Sequence, residues 1–139
     1  DVSKNLIAII KKGSKHLCNA YEAQVITNHL AISLTALFGA NEILNDSTID
    51  KHYQKIKKEI LDNHTEEGWS LEYDGPDSGY QSATISFLSH IHKKNMDEEI
   101  KNIALSSLSF IEKLTLPNGA LCNALGSRHT STQFFLAYE

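Results

Sequence analysis

Three short segments of this chain carry side chains able to bind or turn over a polar substrate: Thr27-Asn28-His29, the run from Glu67 to Gln81, and Gly126-Ser127-Arg128-His129-Thr130. The second is the densest. Trp69, Tyr73 and Tyr80 offer flat apolar faces with polar edges, Glu72, Asp74 and Asp77 offer carboxylates, and Gly75-Pro76 and Gly79 bend the backbone between them. A sugar-binding loop has this composition, and so does an ordered connector whose aromatics plug the end of a helical core.

Asn28, His29, Tyr80 and Arg128 together supply an amide, an imidazole, a phenol and a guanidinium. Removal of the C5 proton of a uronic acid needs such a set: groups that neutralise the sugar's carboxylate, and a base placed at the proton. Elimination or epimerisation follows. Trp69, Glu72, Tyr73, Asp74, Asp77, Gln81 and His129 are then the candidate substrate contacts. Each has a structural competitor. Asn28 and His29 lie in a mostly apolar helix and suit satisfied core positions, and Tyr80 falls on a stripe with Thr84, Phe87 and Ile91. Asp77 or Ser78 suits a helix N-cap, and Arg128 and His129 suit a cap or an ion pair with Asp74 or Asp77. A second enzymatic reading is an inverting glycoside hydrolase using Glu72, Asp74 and Asp77, although all three stand on one loop. A third is glycan or protein binding by the aromatics, without turnover.

The elements that position these groups are helical, because apolar residues recur at helical spacing and no stretch alternates long enough for a strand. A short amphipathic segment over about 2–12 carries Leu6, Ile7 and Ile10 and is interrupted at Gly13. A helix over about 21–44 is apolar on several sides, as an inner helix is. Ile49, Tyr53, Ile56 and Ile60 mark an outer helix whose lysines form a solvated face, entered through Asn45-Asp46-Ser47. After the loop the order returns, with an inner helix over about 79–94 and an outer one carrying Ile100, Ile103, Ala104, Leu108 and Ile111 to about 116, where Pro117-Asn118-Gly119 stops it. The inner helices begin roughly 58 residues apart, and the side chains do not read as a repeat. The fold class expected is all-α: stacked αα-hairpins forming an arc of an α/α toroid. At roughly 50 to 60 residues per hairpin, the chain is one domain that holds too few hairpins to close a ring, so a fragment of a larger toroid is expected. The apolar run Thr132–Tyr138 points the same way.

Composition bounds the rest. A hydrophobic fraction of 41% with 22% charged residues belongs to a globular chain rather than a disordered one. The net charge of −4 and the dispersed lysines exclude a nucleic-acid footprint. The longest apolar stretch, Ala31–Ala40, is too short to span a bilayer. No leader is visible, and the location stays open with the cytoplasm slightly favoured. Cys18 and Cys122 form no ligand cluster and read as reduced structural thiols, with a single disulfide as the alternative. His90 and His92 point to different sides of a helix, and no phosphate loop, dinucleotide fingerprint or Ser-His-Asp signature occurs, so neither metal nor cofactor is expected.

Gly-Trp-x-x-Glu-Tyr-x-Gly-Pro-Asp-x-Gly-Tyr-Gln, followed by Gly-Ser-Arg-His-Thr, resembles a toroid family associated with bacterial surface-polysaccharide gene sets. The Asn28-His29 pair with Tyr80 at the start of a later inner helix also resembles α/α-toroid polysaccharide lyases and heparinase II/III-like proteins. The resemblance covers about residues 20–131. It implies an acidic, uronate-containing polysaccharide as ligand, with Asn28 and His29 neutralising a carboxylate, Tyr80 acting as base or acid and Arg128 holding the anion. The partner of such an arc is the remaining part of the toroid or another protein.

Overall fold

A computed structural model describes residues 2–20 and 25–126 of the chain. Its elements are α1 (Val2–Asn19), α2 (Thr27–Leu44), α3 (Ser47–Asp62), α4 (Ser78–Asn95), α5 (Glu98–Lys113) and a single 3-10 turn, Asn123–Leu125. Among the described residues there are only isolated β-bridges, and the all-α expectation holds. No helix among them is long and apolar enough to cross a membrane. The Thr132–Tyr138 run, Arg128 and His129 lie outside the described residues.

The inner and outer helices divide as their patterns demand. α3 and α5 are amphipathic and bury Ile49, Tyr53 and Ile60, and Ile100, Ile103, Ala104, Ser107 and Ile111, respectively. α4 has no single apolar face and is enclosed on more than one side, whereas α2, equally without one apolar face, packs against α1, α3 and α4 and leaves Ile32 and Ile43 exposed. α2 packs on α3, α4 packs on α5, and the two inner helices α2 and α4 pack on each other. One apolar cluster joins both hairpins through Ala31, Leu34, Ile85, Leu88, Ile91, Ile100 and Ile111.

The two hairpins are copies of one backbone unit, offset by 51 residues. α2 starts at Thr27 and α4 at Ser78; α3 starts at Ser47 and α5 at Glu98; each pair has equal length. Both tight turns place one residue in the left-handed region, Asn45 (φ 49°) and Met96 (φ 55°). An aspartate N-cap follows at once in each: Asp46 accepts from the Thr48 N–H, and Asp97 from those of Glu99 and Ile100. The register continues into the following loops. His64 bridges Ser70 as Thr115 bridges Leu121, and Gly68 (φ 96°) matches Gly119 (φ 81°). The Leu71 N–H donates to the Asn63 carbonyl as the Cys122 N–H donates to that of Leu114. The expected spacing of about 58 residues is therefore corrected to 51. Few side chains persist at that offset within the unit: Leu37 and Leu88, Asp46 and Asp97, Ile49 and Ile100, Ile60 and Ile111, Gly68 and Gly119, and Gly75 and Gly126.

α1 is outside this register. It runs through Gly13, where an interruption was expected, because its C-terminal half is anchored: Ile10, Leu17 and Cys18 pack on Leu37, Ala40 and Ile49. A mid-helix glycine costs about 1 kcal/mol relative to alanine, which that packing offsets. Its first turns carry exposed apolar side chains, Val2 at 84% and Ile9 at 67%. Cys18 and Cys122 are both free thiols, half-buried.

Candidate functional site

The run between α3 and α4 is an ordered strap whose backbone polar groups are largely satisfied. Its first part closes on itself, with the Thr65 N–H donating to the Trp69 carbonyl at 2.9 Å. Its second part pairs with the segment entering α2: the Thr27 N–H and hydroxyl both donate to the Leu71 carbonyl, at 3.2 and 2.6 Å, and the Tyr73 N–H donates to the Val25 carbonyl at 3.0 Å. The strap thereby lies across the N-terminal ends of both inner helices.

Two of its carboxylates are caps. Ile26, the residue before α2, has no side chain able to cap it. Glu72 takes over from a distance: its carboxylate accepts from the Asn28 N–H at 2.8 Å and from the Asn28 side-chain amide at 2.7 Å. Glu72 is only 3% exposed, and burial pushes its carboxyl up to about 7 although both Asn28 bonds favour the ionised form; Asp77 raises it further and His29 opposes. Asp77, also buried, caps α4 by accepting from the Tyr80 N–H at 2.9 Å. The helix-cap reading of Asp77 is thus the one its geometry fits.

Gln81, a candidate substrate contact in the sequence, is fully buried and faces protein. Its carbonyl accepts from the Ser70 N–H at 3.0 Å and its amide donates to the Ser107 hydroxyl at 2.7 Å. The Ser70 hydroxyl in turn meets His64 Nδ1 at 3.0 Å, and burial pulls the His64 imidazole below its ordinary value, keeping it neutral. This buried chain of polar groups stitches the strap to α4 and α5. Gly68 lies where it does for the same reason: a Cβ there would stand 2.6 Å from the Ser106 carbonyl oxygen of α5.

The remaining candidates reach the surface in two places. Glu72, Tyr73, Asp74, Gly75, Pro76 and Asp77 line an open concavity of about 440 Å³, completed by Ala124, Leu125 and Gly126 of the next loop. Tyr73 is 41% exposed at its rim and sits at φ 58°, a conformation costly for a side chain of its size. His29, by contrast, is exposed on a separate cavity of about 310 Å³ between α2 and α3, with Leu30, Ser33, His52, Lys55, Ile56 and Glu59. Neither Asn28, His29 nor Tyr80 lines the concavity beside Tyr73. Trp69 is half-buried on the strap, its indole N–H donating to Glu67 at 2.8 Å. Sequence reasoning missed the capping role of Glu72; the missing polar side chain at Ile26 was the one signal for it. Among the described residues no His, Cys, Asp and Glu cluster is arranged to hold a metal ion. No family model, no curated protein and no solved structure matches this chain.

Proposed function

We propose that the chain is an arc of an α/α toroid that binds a glycan in the concavity beside Tyr73. The observation that carries this is the placement of Tyr73 itself: a half-exposed aromatic, held in a strained backbone conformation at the mouth of a concavity floored by Glu72, Asp74 and Asp77. The ring offers a stacking face for a pyranose, and the exposed Asp74 carboxylate accepts hydrogen bonds from sugar hydroxyls, while Glu72 and Asp77 lie buried behind it as helix caps. Because the floor is acidic, neutral hydroxyl-rich sugars fit it better than a polyanion. A uronate polymer remains compatible where Glu72 carries a proton, below its pKa of about 7.

Calorimetric titration of the protein with neutral and uronate-containing oligosaccharides tests this reading. Binding that weakens about tenfold in Tyr73→Ala, the loss of about 1.4 kcal/mol of stacking, is the expected result. Equal affinity in the variant, or no heat with any glycan, overturns it.

A second reading, C5-proton abstraction from a uronate, is favoured by one relationship. His29 and Tyr80 occupy the same position in the 51-residue unit, at the first turn of the two inner helices that pack on each other. Unsaturated product absorbing in the ultraviolet, lost in Tyr80→Phe, is its signature.

A further inference from the structure

We infer that the face of α2 and α3 opposite the second hairpin docks the loop Leu114–Cys122 of a second copy of this chain, forming a head-to-tail contact. The junction between the two hairpins supplies the template. There the first unit's loop seats Gly68 against the Ser106 carbonyl of α5 and Ser70 against Gln81 and Ser107. In this second unit Gln81, Ala83, Thr84, Ile103 and Ser107 are all buried.

Fifty-one residues earlier, the same positions of the unit are Leu30, Ile32, Ser33, His52 and Ile56, and none of these is buried. Leu30, Ser33, His52 and Ile56, with Lys55 at the position of Ser106, line the 310 Å³ cavity, and Ile32 stands 49% exposed beside it. The C-terminal end of α1 borders this cavity through Leu17, Cys18 and Ala20. The face differs from its covered counterpart: leucine, isoleucine and isoleucine stand where glutamine, alanine and serine do, while histidine and lysine replace Ile103 and Ser106. Ile32 is exposed on this face beside the half-buried Leu30 and Ile56.

The matching half is at the other end of the same molecule. The loop after α5 repeats the bridges, hydrogen bonds and left-handed glycine of the strap. A Cβ on Gly119 meets nothing within 4 Å among the described residues, whereas that on Gly68 collides with α5. Thr115 to Ala120 are exposed, and Leu116 is exposed at 46%. The loop also carries no charge where the strap has Glu66 and Glu67. Among the described residues, one chain therefore presents both an open groove and an exposed loop of the geometry already joined at its centre. Such a contact is heterologous, so it propagates rather than closing as a two-fold dimer.

The test uses the full chain with Cys18→Ser and Cys122→Ser. Sedimentation across a range of concentrations is expected to show a mass that rises with concentration, and Ile32→Glu, an exposed substitution, is expected to hold the protein at monomer mass with unchanged melting. A mixture of Lys55→Cys and Asn118→Cys proteins treated with a short bismaleimide is expected to yield the mixed dimer well above either like-with-like product. Monomer mass at every concentration, or no excess of the mixed dimer, overturns the proposal and leaves the groove to a partner other than this chain. The glycan reading is untouched by either result, because the Tyr73 concavity lies elsewhere.

Discussion

Glu72 and Asn28 are 44 residues apart in sequence and joined by two hydrogen bonds, 2.8 Å to the backbone N–H and 2.7 Å to the side-chain amide. A helix whose own N-cap is isoleucine thus takes its cap from the following loop. The bond pair fixes the strap on α2, and the strap in turn presents Tyr73 and Asp74. Capping the helix and shaping the concavity are one interaction.

The raised carboxyl of Glu72 makes stability depend on pH in a direction unusual for an acid. With a folded value of about 7 against an ordinary 4.5, the folded state holds a proton that the unfolded state has released between those limits. Stability therefore falls as pH rises from about 4.5 to 7, by at most about 3 kcal/mol. His64 acts oppositely, since its lowered value makes stability fall as pH drops below the ordinary imidazole range. Urea unfolding of wild type and Glu72→Gln at pH 5 and pH 8 separates the two. The glutamine variant should gain on wild type at the higher pH, and parallel pH profiles for the two proteins would contradict the assignment.

Gln81→Leu should destabilise the protein by about 2–4 kcal/mol, because it strands both the Ser70 N–H and the Ser107 hydroxyl in a dry interior. Gln81→Glu should be at least as damaging, because although the Ser107 hydroxyl can turn to donate to it, an ionised carboxylate is then enclosed in a fully buried site. Thermal melting reads both. Small shifts of the size seen at surface positions would mean that the network is not as dry as its burial implies.

Lys57 of α3 reaches across to the outer helix of the next unit, 2.6 Å from Asp97 and 2.7 Å from Glu99. Burial works against the Asp97 charge, but Lys57 and the N–H groups of Ile100 and Glu99 hold the carboxyl below its ordinary value. Asp97→Ala removes a helix cap and this cross-unit contact together, with an expected loss of about 1–2 kcal/mol from the cap and somewhat more from the ion pair. Asp46→Ala, the equivalent cap in the first unit, gives up its cap and an attraction to Lys11 but no ion pair among the described residues, and should lose less. Denaturant midpoints of the two variants give the difference, and equal losses would show the ion pair to be inert.

Much of this architecture was legible in local chemistry. The stripe Ile49, Tyr53, Ile60 placed α3, the stripe Ile100, Ile103, Ala104, Ile111 placed α5, and both aspartates preceding them are caps. The unit length was not, because apolar residues from about 21 onward blurred the start of α2, whereas its first helical residue is Thr27. The lysines of α3 read as a solvated face, yet Lys57 is ion-paired across the interface, a long-range fact that helical spacing does not carry. The site was half legible. Tyr73, Asp74 and Asp77 do share one concavity with Glu72, but Gln81 belongs to the interior and His29 opens on another cavity. Which side of a loop faces protein is decided by the next hairpin, and no pattern within the loop encodes it.

Gly68 and Gly119 make the sharpest comparison, since they share a backbone conformation and differ in surroundings. Both have positive φ, 96° and 81°, so any side chain at either costs about 1–2 kcal/mol. Gly68→Ala must also push its Cβ away from the Ser106 carbonyl, 2.6 Å distant, and a helix backbone has little room to retreat. Its expected loss exceeds that of Gly119→Ala by about 1–3 kcal/mol, the usual range for overpacking. In the monomer, Gly119→Ala should show the backbone cost alone. If the loop of one copy seats on the α2 and α3 face of another, the same substitution places a Cβ at the Lys55 carbonyl and abolishes the rise of mass with concentration. Melting and sedimentation of the two variants together decide it: a Gly119→Ala protein that is modestly destabilised yet no longer associates is the expected outcome, and one that associates as wild type does removes the equivalence of the two junctions.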